Sequence, residues 1–200
     1  MSEVSICNAA LLKLGAELIL TRADGNNRAR AMNARYEDVR DAELRRRRWR
    51  FSFKRAELPA LTETPLSDFD LQYQLPVDFL RLIEGGDIVA VPDLSDFRSG
   101  GGDELYSIEG DKILTNLAAP LRIRYIARIS DTALMDPTFR EAFASRLALE
   151  NCERITQSDS KKESCRQDYK DAVREAVRAN ALEAAPRSTA DAEWVAARRM

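Results

Sequence analysis

The hydrophobic period of this chain changes at Trp49, and the change limits its possible folds more than any other feature. From Asn27 the apolar positions Ala29, Met32, Tyr36 and Val39 step by three, four and three, the spacing of one helix face. No breaker interrupts the run before Arg48, which predicts a helix of about 20 residues, roughly 30 Å long. At Trp49 the step drops to two. Trp49, Phe51 and Phe53 alternate with Arg50, Ser52 and Lys54, predicting a strand or an extended exit, with a continued helix as the alternative.

Helical signals flank this junction on both sides. Val4, Ala10, Leu11 and Leu14 fall on one stripe that ends at Gly15, so a short helix is expected from Ser2 or Ser5 to Leu14. Far downstream, Asp136-Pro137 supplies an N-cap and a proline at the first helical position. Phe139, Ala142, Phe143, Leu147, Cys152 and Ile155 then make an apolar stripe. Ser158 or Asp159 is expected to cap a further helix, with Cys165, Tyr169, Ala172, Val173, Ala176 and Val177 on one side and Pro186 closing it. The break at residues 156–159 predicts an antiparallel helix pair.

Between residues 59 and 130 lie five of the seven prolines and a series of short extended pieces bounded by turn residues. Ile108–Ile113 reads as a hairpin with Gly110-Asp111 at its turn. "LRIRYIAR" alternates Leu121, Ile123 and Tyr125 with Arg122 and Arg124, a strand with one charged face. In "YQLPVDFLRL", Pro76 biases Leu75 toward extended geometry, and Asp78, Phe79 and Leu80 are expected to form a turn. "RSGGGDE" is no phosphate cradle, since neither a Lys-Ser/Thr pair nor a helix follows it. The whole predicts an α+β fold: a helical bundle of three to four helices from residues 1–58 and 131–185, a β-rich insertion at 59–130, and a flexible tail at 186–200.

What the chain does must come from a surface or a site. "LRRRRWRFSFKR", Leu44 to Arg55, places seven cations in twelve residues, yet the formal net charge is −2, without the cationic excess of a nonspecific DNA binder. Four consecutive arginines at helical spacing point about 100° apart and cannot form one phosphate-facing row. The aromatic group Trp49, Phe51, Phe53, Tyr73 and Phe79 could stack on bases, but fourteen aromatics are few for a chain of this size, and core is their expected place. The chain has no histidine, which removes the commonest general base and most transition-metal sites. Asp78 lacks a second carboxylate at fixed local spacing and is a poor candidate acid. Cys7, Cys152 and Cys165 have no CxxC spacing and read as core fillers, with neither disulfide nor zinc expected. No apolar run approaches the roughly 18 residues that cross a bilayer, and "MSEVSICNAALLKLG" lacks a basic signal region, so a cytoplasmic chain with no membrane contact is expected. No catalytic residues, cofactor or metal are expected. In the polar tail, Trp194 is the residue type that anchors interfaces.

Taken in order, "ICNAALLKLGAELI", "ARAMNARYEDVRDAELRRRRWRFSFKRAEL", "YQLPVDFLRL", "YSIEGDKILTN", "LRIRYIARISD" and "DPTFREAFASRLALENCERI" resemble the tail tubular protein A, or head-to-tail adaptor, family of short-tailed bacteriophages. The resemblance covers about residues 5–180, and the order of the segments is more specific than any one of them. It implies a virion protein, assembled in the host cytoplasm, that forms a homo-oligomeric ring of twelve copies beneath the portal protein. Such a ring extends the channel through which double-stranded DNA passes without specific binding, and presents a platform for the tail nozzle, a tail tubular protein B-like partner, and tail fibre proteins. It implies portal contacts for the C-terminal segment, with Arg187, Trp194, Val195, Arg198 and Arg199 as candidates. Arg45, Arg46, Arg47 and Arg48 become candidates for intersubunit or channel-facing positions. The rival reading is a DNA-binding regulatory or packaging accessory protein that uses the basic cluster at residues 45–55; a hydrolase working through paired carboxylates is a distant third.

Overall fold

In the computed structural model, which describes residues 2–83 and 105–183, each of the four helices among the described residues begins at a side chain suited to cap it. Helix α1, Glu3–Leu14, starts where Ser2 Oγ accepts from the Ser5 N–H at 3.3 Å, and stops at Gly15, whose φ of 71° is left-handed. Asn26 Oδ1 accepts from the Ala29 N–H at 2.8 Å to open α2, Asn27–Arg46. Asp136 Oδ1 takes the Thr138 and Phe139 N–H groups at 2.8 and 3.2 Å to open α3, Pro137–Thr156, where Pro137 has no donor to leave unsatisfied. Ser158 caps α4, Asp159–Leu182, after Gln157 has turned the chain in a left-handed conformation at φ 50°.

Helix α3 is the hub of the helical layer, packed along α4 and across α1 and α2. The reason is its width of apolar coverage: Phe139, Ala142, Phe143, Leu147, Ala148 and Cys152 are all buried, a face too broad for one neighbour. Tyr36 of α2 meets Phe143 edge to face at 5.0 Å, and Trp49 and Phe51 each meet Phe139 in the same way at 5.0 Å. All three cysteines lie in this core as free thiols, and burial pushes Cys7 and Cys165 up to about 11.

Six strands among the described residues form two antiparallel sheets that the chain visits alternately. Strands β1 (Phe53–Leu58), β6 (Leu121–Ala127) and β3 (Phe79–Leu82) make one sheet, with β6 in the centre. Strands β2 (Leu71–Gln74), β5 (Lys112–Thr115) and β4 (Ser107–Glu109) make the other. The β4–β5 hairpin turns at Gly110-Asp111, and Gly110 takes φ 60°, which a side chain would strain. In β6 the alternation Leu121, Ile123, Tyr125 is buried on one face; Ile126 and Ala127 are buried too, because that end of the strand enters the core from both sides.

The structure corrects several expectations in detail. The alternation at Trp49 is not yet a strand: Arg50–Ser52 form a 3₁₀ turn and the ladder starts at Phe53. Phe79 and Leu80 belong to β3, and the turn before them is closed by the Phe79 N–H on the Pro76 carbonyl at 2.9 Å. Strand β1 falls within the 1–58 stretch that was expected to be helical bundle. Val4 and Ile155 are only half-buried, and Val177 is exposed on the outer edge of the α4 stripe. Pro186 and the tail after it, like the Arg98–Glu104 stretch, lie outside the described residues.

Candidate functional site

The arginine run is where sequence and structure must be compared first. Helix α2 stops at Arg46, and Arg47 has an extended backbone at φ −134°, so only Arg45 and Arg46 sit at helical spacing, not all four arginines. Trp49 is the cause. Its ring is buried against Phe139 and its indole N–H donates to the Glu43 carbonyl at 2.9 Å, satisfying one of the carbonyls that a helix end leaves open. Pulling Trp49 inward forces the chain out of the helix two residues before it.

The four side chains then part company. Arg45 Nη1 donates to the Leu80 carbonyl at 2.7 Å, tying α2 to β3. Arg46 Nη1 donates to the Tyr169 hydroxyl at 3.1 Å and stands 3.8 Å from the Glu43 carboxylate. Arg47 is half-buried, with its Nε enclosed. Arg48 is exposed, and its carbonyl accepts from Asn180 Nδ2 at 3.0 Å. Two of the candidate positions thus brace the fold through their guanidinium groups, and the run does not present one cationic surface.

A different cationic surface forms instead. Asn180, in the last turn of α4, holds both sides of Trp49: its amide donates to the Arg48 carbonyl and its Oδ1 accepts from the Arg50 N–H at 2.9 Å. This clamp sets Arg48 and Arg50 beside the β1–β6 ladder, where Arg55 and Arg124 are directly opposite each other. The four arginines line one open cleft of about 540 Å³. Phe53, Ile83 and Ala181 supply its apolar surface, and Asn180 completes the lining among the described residues. The Arg124 guanidinium lies over the Phe53 ring, 5.5 Å from its centre. The next pair along the same face, Glu57 and Arg122, is by contrast an opposite-charge pair at 2.7 Å. Arg50, Arg55 and Arg124 were not singled out as a group by the sequence; the signal was the charged face of "LRIRYIAR", once paired in register with "FKRAEL".

Several acids among the described residues are engaged by partners far away in sequence. Asp78 Oδ2 accepts from Lys54 Nζ at 2.6 Å and Oδ1 from the Tyr125 hydroxyl at 2.9 Å. Burial alone would raise the Asp78 carboxyl, but these two donors and the Lys54 charge outweigh it and hold it below the usual range, while burial and the same hydrogen bond push Tyr125 up to about 12. Glu43, buried in the helical layer, accepts from the Tyr169 hydroxyl, which burial and that bond raise to about 12. Asp41 bridges Arg40 and Arg128 at 2.8 and 2.7 Å, fastening α2 to the end of β6. These carboxylates are positioned as fasteners between elements. Among the described residues no group of three or more cysteine, aspartate or glutamate side chains is placed to hold a metal ion, and no helix is long and apolar enough to cross a membrane.

Arg187, Trp194, Val195, Arg198 and Arg199 lie outside the described residues. No protein-family model matches the chain, and no curated protein matches it either.

Proposed function

We propose that this chain is a structural head-to-tail adaptor of a short-tailed phage virion: a ring between the portal protein and the tail nozzle and fibres that lengthens the DNA channel and turns over no substrate. The observation that carries this reading, beside the ordered segments that resemble the family, is the dispersal of the arginine run. Arg45 and Arg46 each direct one guanidinium N–H into the fold, to the Leu80 carbonyl and to Tyr169, and the chain leaves the helix at Arg47, so the most basic stretch does not form one regular row of phosphate contacts. A conduit through which DNA slides needs that property. A near-neutral chain whose helices carry many mixed charges also suits subunits that must meet copies of themselves and two different neighbours. The tail residues Arg187, Trp194, Val195, Arg198 and Arg199 are assigned to the portal, and Arg45–Arg48 to intersubunit or channel-facing positions, as parts of the same proposal.

The test is direct. Purified chain mixed with the portal protein of its virion and imaged by electron microscopy is expected to show an added ring on the portal; no association at any salt concentration counts against the adaptor. The arginine cleft gives the DNA-binding alternative its one specific support. That alternative requires affinity for duplex DNA that falls steeply with salt as counterions are released, and that is lost when Arg48, Arg50 and Arg55 of the basic cluster become glutamine.

A further inference from the structure

We propose that the exposed face of α4 is a contact surface for a second copy of this chain, in which a row of cations on one flank receives a row of acids from the opposite flank of its neighbour. The inference deepens the adaptor reading and rests on it for the closing of copies into a ring, but the contact itself is tested on the isolated chain.

A merely solvated helix places acid and base four residues apart, as α3 does with Arg146 and Glu150 at 2.6 Å. Helix α4 departs from that pattern. Its buried stripe is Cys165, Tyr169, Val173 and Ala176, and it packs chiefly on α3. Away from the stripe, Arg166, Lys170, Arg174 and Arg178 follow one another at every fourth residue, all exposed, as one cationic row about 18 Å long. Asp168, Asp171 and Glu175, exposed as well, make an acidic row roughly 110° around the helix axis from it. Each successive cation pair, and the pair Asp171 and Glu175, sets like charges at the spacing where they destabilise a helix. Local partners relieve this only in part. Glu163 takes Arg166 and Asp171 takes Arg174, each at 3.0 Å, while Asp168, Lys170, Glu175 and Arg178 make no hydrogen bond or ion pair among the described residues.

Two features select a copy as the occupant. The first is that one helix holds both halves of the match. Duplex DNA would be drawn by the cations and repelled by Asp168, Asp171 and Glu175 on the same face, and an acidic segment would meet the same repulsion. A copy satisfies both rows together, acids against cations on one side and cations against acids on the other. The second is that the rows are level along the helix. Beside a neighbour with a parallel α4, Asp168 falls between Arg166 and Lys170, Asp171 between Lys170 and Arg174, and Glu175 between Arg174 and Arg178, with no axial shift. Such a contact is heterologous, and without an axial shift its repetition closes into a ring instead of climbing into a filament. Val177 and Leu182, 37% and 87% exposed, add apolar surface beside the rows.

The test uses the full chain and two charge-reversed forms. An acidic form carries Lys170→Glu, Arg174→Glu and Arg178→Glu; a basic form carries Asp168→Lys, Asp171→Lys and Glu175→Lys. Sedimentation velocity at about 0.5 mM protein and about 0.01 M salt, where charges act over roughly 30 Å, is expected to show the natural chain associating and each reversed form monomeric. An equimolar mixture of the two reversed forms is expected to associate again. Salt at about 0.2 M is expected to weaken the natural and the mixed contact about tenfold or more. Should a reversed form lose its helical circular dichroism, Lys170→Gln with Arg178→Gln decides: it is expected to melt no lower than the natural chain, having lost repulsion within α4, and yet to associate more weakly. Unchanged association in that variant overturns the proposal. So do a natural chain and a mixture that both stay monomeric, association that persists in each reversed form alone, or duplex binding that is lost in the acidic form while the mixture stays monomeric. A ring on the portal formed equally well by the acidic form overturns this surface and leaves the adaptor reading standing. Association of the mixture without any ring on the portal supports the surface and counts against the adaptor.

Discussion

Replacing Asp78 with asparagine removes a charge that joins three strands, since Lys54 lies on β1, Tyr125 on β6, and Asp78 immediately precedes β3. The carboxyl is held below its usual range in the folded chain, so its contribution to stability is complete above the unfolded value of about 3.9 and is lost as pH falls through the folded value. Asp78→Asn is therefore expected to destabilise by on the order of 1 kcal/mol at pH 7, discounted from a buried pair because Lys54 is half-exposed. In urea unfolding followed across pH, the difference between the two proteins should shrink below about pH 4; a constant difference down to the acid limit would contradict the assignment. From the sequence alone Asp78 was a carboxylate without a local partner. Its partners lie 24 and 47 residues away, in strands whose register no local pattern gives.

Among the elements, α3 concentrates the stability of the helical layer. Phe139 is fully buried and touches both Trp49 and Phe51, so Phe139→Ala opens a cavity at the seam between α3 and the 3₁₀ turn. A loss of about 3–5 kcal/mol is expected in chemical denaturation, with a blue-edge change in Trp49 fluorescence as its ring loses a neighbour. The helices were legible because their signals are local: caps at Ser2, Asn26, Asp136 and Ser158, and apolar steps of three and four. The stop of α2 at Arg46 was not, because a distant contact sets it; nothing in "RRRRWR" says that Trp49 must reach Phe139. The cationic cleft was half legible. "LRIRYIAR" announced a charged strand face, but only the pairing of Arg55 with Arg124 and the Asn180 clamp from α4 bring four arginines together.

At the scale of the whole molecule, the helical layer and the sheets share continuous chain and common fasteners. Arg45 joins α2 to β3, Asp41 joins α2 to the end of β6, and Asn180 joins α4 to the entry of β1. Calorimetry is accordingly expected to record one cooperative transition, with equal calorimetric and van't Hoff enthalpies; separate melting of helices and sheets would show that these ties are weaker than the layers they connect.

The β1–β6 ladder adds a property of a different kind. Leu58 and Leu121 are cross-strand partners, so the chain departs for its middle stretch and comes back at almost the same point in space. Strand β3 excepted, which returns to pair with β6 and to meet Arg45 of α2, the helices are thereby insulated from the length of what lies between, in the way a socket is indifferent to the reach of the tool it holds. Such a frame tolerates longer or shorter middle stretches without a change in its own register.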